Sequence, residues 1–370
     1  MNHLSSDWAS DRPGVYEGGV DGVDFVLNIP AGHDIGILQL SDPQVCSPAK
    51  ARNATRVWQL TDAYYRDGVF GFEEKVGGYI RQLLENCTPD LIVLAGDIVY
   101  GETDDSGEDL LAFIDFMDSF KIPWAACWGN HDNESAKGVR WQCEQLMKSE
   151  YGVFKPGSVT GHSNYNIVLR QNGEIRYTLF FVDTNGCMKL GCPGEGVQPE
   201  NVDYDLLPRA YGIFPDQIEW FRDANAKIRA LAGRDVPNLV FQHVNLSAVC
   251  AALEAKYPAE AAARTPVHGK GEDFGALTRG WGQVLDVDNA FFDACRANNT
   301  TGIFFGHEHT NDLSIVWKGV RLTFGSKTGT HNSYIPDMLG GTLVFLDEKT
   351  NELTVRHIKN VDLPPLGTRK

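Results

Sequence analysis

Leu91-Ile-Val-Leu-Ala-Gly-Asp-Ile-Val-Tyr100 runs five apolar residues into a glycine and then a carboxylate. An unbroken Leu/Ile/Val run without polar alternation reads as a strand buried on both faces. Gly96 lets the backbone turn sharply where that strand ends. Asp97 then lies at the strand's C-terminal edge, where open α/β sheets hold their ligands. Taken alone, Asp97 could equally cap the next turn.

Four other stretches repeat the pattern and change its meaning. They are Ile35-Gly-Ile-Leu-Gln-Leu-Ser-Asp42-Pro-Gln44, Trp124-Ala-Ala-Cys-Trp-Gly-Asn130-His131-Asp132, Asn238-Leu-Val-Phe-Gln-His243 and Gly302-Ile-Phe-Phe-Gly-His307-Glu-His309. Each is a short apolar segment that delivers Asp, Asn or His at its C-terminal end. Five such strands can converge on one sheet edge. The resulting mixture of carboxylate, amide oxygen and imidazole suits divalent or trivalent metals of hard to borderline character, and it lacks the thiolates of a structural zinc site.

The ordered set Asp42-x-Gln44, Gly96-Asp97, Gly129-Asn130-His131-Asp132, His243 and Gly306-His307-x-His309 resembles the calcineurin-like metallophosphoesterase superfamily, over roughly residues 35 to 310. The resemblance implies an α/β fold, a four-layer α/β/β/α sandwich of two mixed sheets with a dimetal site at the C-terminal strand ends. It also implies two metal ions about 3.5–4 Å apart. In the family pattern Asp97 bridges them, Asp42 and His309 belong to the first, and Asn130, His243 and His307 to the second. Asn130 can ligate only through its side-chain oxygen. His131 is not a ligand in this pattern. It stands beside the scissile ester as general acid, with Asp132 orienting its ring. The implied reaction is hydrolysis of a phosphate monoester by attack of a metal-bound hydroxide. A phosphodiester such as a cyclic nucleotide is the alternative substrate for the same site, and a non-enzymatic binding module on the same fold is a third reading.

Two positions depart from that pattern. The first motif is usually Asp-x-His, and here Gln44 stands in the place of the imidazole. Asp97 is followed at the third position by Tyr100, a spacing that resembles the purple acid phosphatases, whose Tyr phenolate binds a ferric ion. The resemblance therefore implies Tyr100 as a ligand in place of the missing imidazole, with Fe(III) partnered by Fe(II), Zn or Mn; Gln44 as the ligand is the alternative. The stretches around His307 and Phe324-Gly-Ser-Lys-Thr-Gly-Thr-His331 look closest to the small purple-acid-phosphatase-like phosphoesterases. Asn130 is expected to contact the substrate as well, and His162 and His331 lie in loops that could reach the site as substrate contacts. His3, His33, His268 and His357 read as solvated surface histidines.

The 370 residues are enough for one large domain with a substantial core. A net charge of −16 argues against nucleic acid or an anionic membrane as a general partner. A phosphorylated small molecule must then be drawn by local positive charge, which bound metals can supply. The sequence leaves the oligomeric state unknown. Eight scattered cysteines without a CxxC pair read as reduced thiols, with a Cys187–Cys192 disulfide as the alternative. Residues 1 to 24 carry no apolar h-region, and no segment is long enough to span a bilayer, so a cytoplasmic location is expected unless a signal has been removed.

Along the chain, residues 1–30 read as an N-terminal extension, with a weak edge strand over 20–27, and 31–370 as the metallophosphoesterase domain. Helices are predicted over 52–66, 72–84, 109–120, 139–148, 215–231 and 290–298, and part-helical character over 251–264. Strand runs at 164–169 and 175–183 flank Asn172-Gly173, a hairpin signal. Residues 186–211 read as a surface loop and 265–276 as a lid or an ordinary excursion. Beyond 313 the chain is mostly antiparallel β.

Overall fold

The apolar runs that end in Asp, Asn or His are all strands. In the computed structural model, residues 13–45, 76–100, 107–135, 137–186, 212–278 and 289–368 are described. The chain begins with β1 (Gly14–Val20), β2 (Val23–Ile29) and β3 (Ile35–Leu40). Then come α1 (Val76–Asn86), β4 (Leu91–Ala95), α2 (Glu108–Asp118), β5 (Trp124–Cys127), a 3-10 turn at Asp132–Glu134 and α3 (Gly138–Leu146). The hairpin β6 (Tyr165–Gln171) and β7 (Glu174–Val182) turns at Asn172-Gly173, both with positive φ. It is followed by α4 (Pro215–Ala232) and β8 (Asn238–Gln242). Next are α5 (Ala248–Lys256), α6 (Pro258–Ala263), β9 (Val267–His268), β10 (Ala276–Leu277), α7 (Asn289–Ala297) and β11 (Thr300–Phe305). The chain closes with β12 (Ser314–Trp317), β13 (Val320–Phe324), β14 (Gly340–Leu346) and β15 (Leu353–Lys359).

Two mixed sheets carry thirteen of these strands, in the orders β1-β2-β6-β7-β8-β11-β13-β12 and β15-β14-β3-β4-β5, and β9 and β10 pair antiparallel as a separate ribbon. β3, β4 and β5 are parallel, and so are β7, β8, β11 and β13, so their C-terminal ends share an edge within each sheet. One apolar cluster joins inward residues of both sheets, among them Ile37, Val93, Leu169, Phe241 and Phe304. Stacked rings run across the larger sheet from Tyr165 to Phe181, Phe241 and Phe304, with centroids 4.6, 5.6 and 5.0 Å apart. Such cross-strand aromatic pairs fix register as well as burying area. A second cluster lies between the eight-stranded sheet and α4, α5 and α7, through Phe180, Phe221, Val249 and Phe291.

Residues 14–29 pair directly into the large sheet, β2 running parallel to β6. Residues 265–276 are pinned to the body rather than hinged. Phe274 bridges Ser314, and buried Asp273 pairs with Lys256 and Tyr257 and accepts the Val316 N–H. The predicted helix over 52–66 and the loop over 187–211 lie outside the described residues, as do Cys46, Cys187, Cys192 and His3. Cys87, Cys127, Cys143, Cys250 and Cys295 are free thiols. His357 is not a solvated histidine. Nε2–H donates to the Asp312 carbonyl (2.6 Å) and Nδ1 meets the Thr342 hydroxyl (3.0 Å).

Candidate metal centre

The two sheets meet at the ends of their parallel strands. Asp42 follows β3, Asp97 follows β4, Asn130 follows β5, His243 follows β8 and His307 follows β11. All five are buried or nearly so. The connections are tight. The Asp42 N–H donates to Gly96 O, the Gln44 N–H to Asp97 O (2.9 Å) and the Gly306 N–H to His243 O (3.0 Å). Asp42, Gln44, Asp97 and His307 all adopt positive φ, a region that costs a non-glycine residue free energy and is concentrated at functional sites. A Cβ on Gly96 would come within 2.4 Å of His243 Nδ1, and one on Gly129 within 2.2 Å of Asp97 Oδ1. Both glycines are therefore required by close approach, and Gly96 also by its positive φ.

Ligand-type atoms of Asp42, Asp97 and His309 lie within 4.8 Å of one another. Asp42 Oδ1 is 3.3 Å from His309 Nε2. On the other side, His243 Nε2 stands 3.3 Å from Asp97 Oδ2 and 3.2 Å from Asn130 Oδ1, which is also 2.9 Å from His307 Nδ1. Asp97 thus faces both groups. His243 Nδ1 is held by the Ala95 carbonyl at 2.7 Å, which turns Nε2 into the cluster. A backbone carbonyl on the outer nitrogen is the usual orienting device of a metal-binding histidine. Asp42, Asp97 and His309 offer the ligand atoms for a metal ion, and Asn130, His243 and His307 set further donor atoms beside Asp97.

The electrostatics agree with carboxylates kept ionised for such a role. Burial alone would raise Asp42, but the His309 hydrogen bond and the charges of His309, His243 and Lys327 hold it below its usual range. Burial likewise opposes ionised Asp97, and the nearby His243 and His131 charges overcome it. Burial depresses His243, yet Asp97 and Asp42 carry it up to about 9. His307 is pushed down to about 3 by burial and by the His243 charge, so its imidazole is neutral. Burial and the Lys327 charge also lower His309. Glu308, between the two histidines, is raised to about 8 by burial and by Asp42.

The remaining expected residues are placed differently. The Asp132 carboxylate accepts the Gly129 and Val99 N–H groups at 2.7 and 3.1 Å, and burial with the Asp97 charge raises it to about 7. It shapes the loop and does not orient the His131 ring. Glu134 does that, with Oε2 at 2.6 Å from His131 Nδ1 and both side chains buried. The signal was present as the three-residue spacing. In a 3-10 turn, residues i and i+3 eclipse. Tyr100 is buried with its ring 4.5 Å from that of His131 and 4.5 Å from that of His331. His331 thereby joins the site through Tyr100. His162 is tied by its backbone N–H to Asp183 Oδ2 at 2.8 Å.

Both polar atoms of the Gln44 side chain have protein partners. Its Nε2 donates to Asp97 Oδ2 (3.1 Å) and its Oε1 accepts from Lys327 Nζ (2.9 Å). An ammonium has only donors and a carboxylate only acceptors, so the neighbours fix the amide's orientation. Its one ligating atom is therefore turned to Lys327, a residue that sequence reasoning missed. Burial lowers Lys327 to about 8, against the pull of Asp42 and Asp97.

The chain belongs to the calcineurin-like phosphoesterase family, whose profile matches residues 36–311. Within that family it is similar to purple-acid-phosphatase-like proteins. It is 28% identical over 273 residues to probable inactive purple acid phosphatase 28 of Arabidopsis thaliana, covering 68% of this chain and 62% of that one. It is 27% identical over 183 residues to phosphatase DCR2 of Saccharomyces cerevisiae, covering 46% of this chain and 30% of that one. The purple acid phosphatase PPD1 of yellow lupin (Lupinus luteus) superposes with a TM-score of 0.44 at 10% identity, over 92% of this chain and 55% of that one. The chain thus spans about three fifths or less of the curated relatives named here. No helix among the described residues is long and apolar enough to cross a membrane.

Proposed function

We propose that the chain is a dimetal-dependent phosphoesterase that hydrolyses phosphate monoesters of small molecules. One observation carries this reading. Asp97 faces both Asp42/His309 and Asn130/His243/His307, while His131 stands alongside on Asp97 through its backbone N–H (2.8 Å to Oδ1). When bound, the metals would neutralise phosphoryl charge and make water a competent nucleophile at neutral pH. The protein's own groups supply the rest. Asp42, Asp97, Asn130, His243, His307 and His309 hold the ions. His131 delivers a proton to the leaving oxygen, held by Glu134 and packed on Tyr100. Asn130, His331 and His162 contact the substrate. Tyr100 as an iron ligand is testable separately: a visible phenolate band lost in Tyr100→Phe would support it, and its absence with iron bound would exclude it.

Two variants test the assignment. Asp97→Asn should lose metal and nearly all hydrolysis of a chromogenic monoester; full metal content with full activity would refute the site. His131→Ala should keep the metals and slow turnover by about 10²–10⁴, less so for good leaving groups. An unchanged rate with a poor leaving group would remove His131 from the chemistry. Running monoester and diester substrates side by side tests the substrate class.

A further inference from the structure

Lys327 follows β13 and reaches beneath the Asp42 loop through an isolated bridge with Ser41. It is only 2% exposed. Its Nζ donates to the Asp42 backbone oxygen (3.0 Å) and to Gln44 Oε1 (2.9 Å). Both partners are neutral oxygens, so the charge that offsets this buried ammonium comes through space from Asp42 and Asp97. Those same two carboxylates are the anionic ligands of the centre.

We propose that Lys327, locked through Gln44, makes the two metal positions unequal. The Asp97/Asn130/His243/His307 position binds first and tightly. The Asp42/His309 position binds a divalent ion weakly and exchanges it, with the ammonium supplying local positive charge whether or not that ion is present. The inference rests on reading this cluster as a metal centre. Two features carry it. Gln44 stands where an imidazole ligand would stand, yet its oxygen is committed to Lys327. That leaves the first position with one imidazole, His309, beside Asp42 and a share of Asp97. In addition, the Lys327 ammonium is held against the Asp42 backbone oxygen and Gln44 Oε1, beside the Asp42/His309 position. A divalent ion placed there adds cationic charge beside an existing cation in a medium of low dielectric.

The test is calorimetric titration of the metal-free whole protein with Mn(II), with an electron paramagnetic resonance spectrum at each equivalent. Wild type should bind one tight equivalent with an uncoupled signal. A second equivalent, about tenfold or more weaker, should then bring spin coupling. Lys327→Met should tighten the second step by about tenfold or more and leave the first unchanged. Lys327→Gln should do the same while keeping a polar group against Gln44, and thermal unfolding verifies both folds. Two equal steps in wild type would overturn the proposal even if neither variant folds, as would an unchanged second step in the folded variants. Wild type that binds no Mn(II) at all would overturn the metal-centre reading itself.

Discussion

The His131 imidazole is gripped on several sides. Glu134 holds Nδ1 at 2.6 Å and the Tyr100 ring lies 4.5 Å away, centroid to centroid. The buried carboxylate holds Nδ1, and the Tyr100 ring packs against the imidazole at a tilt of 36°. Glu134→Gln keeps an acceptor for Nδ1–H and should retain most of kcat. Glu134→Ala should lower kcat by about tenfold to a hundredfold with little change in KM or metal content, less than removal of the acid itself. An equal effect on good and poor leaving groups would show that Glu134 does not act through His131. At this scale the sequence was legible for residues that end a strand and opaque for the rest. Asp42, Asp97, Asn130 and His243 announce themselves at the ends of apolar runs. Lys327 does not, because a lone lysine in a Gly/Ser/Thr loop looks solvated until the pairing of β13 with β11 carries it under Asp42. Gln44 was readable as a departure, but not its turn toward Lys327.

Among the elements, β5 is the edge strand that delivers Asn130 and His131, and its free edge is covered piece by piece. Trp124 bonds residues 151 and 153, the Ala126 N–H and carbonyl both meet the Tyr165 hydroxyl (3.0 and 2.8 Å), and the Trp128 N–H donates to Ser163 Oγ. An uncovered edge would invite strand pairing with another chain. Tyr165→Phe leaves both Ala126 groups buried without that partner and should lower unfolding free energy by about 1–3 kcal/mol, read by denaturant titration. No loss would mean that water replaces the hydroxyl. The hairpin signal of Asn172-Gly173 and the strand 238–242 were legible because local chemistry decides them. The covering of β5 was not, since it depends on partners tens of residues away.

β15 carries a second testable contact, because its His357 sits opposite Thr342 in the register with β14. Burial lowers His357 from 6.5 to about 4, with Asp312 opposing and Lys359 assisting the shift. The sign follows from linkage. Below about pH 6.5 the unfolded chain takes up a proton that the folded chain resists, so stability falls as pH falls and the penalty saturates below about pH 4. The loss should reach roughly 1–3 kcal/mol over that window. His357→Gln should flatten it relative to wild type in chemical unfolding at pH 7, 5.5 and 4. Parallel pH curves for the two proteins would place the acid sensitivity elsewhere.

For the whole molecule, the site exists because two sheets bring their parallel-strand ends to one place. The five-stranded sheet supplies Asp42, Asp97 and Asn130, and the eight-stranded sheet supplies His243 and His307. Direct bonds between the sheets set the spacing: Gln39 Nε2 to Phe305 O at 2.9 Å and His243 Nδ1 to Ala95 O at 2.7 Å. The order of strands and helices showed two mixed sheets from the sequence alone. It could not show that residues 14–29, read as an extension, complete the larger sheet, because their weak alternation resembles any exposed ribbon.

The most direct measurement is hydrolysis of a chromogenic phosphate monoester by the metal-loaded protein, compared with the chelated protein and with Asp97→Asn. Turnover should require metal and be nearly abolished by the substitution. Full metal occupancy in the wild type with no hydrolysis of monoester or diester would contradict it and place the chain among proteins that keep this centre without the chemistry.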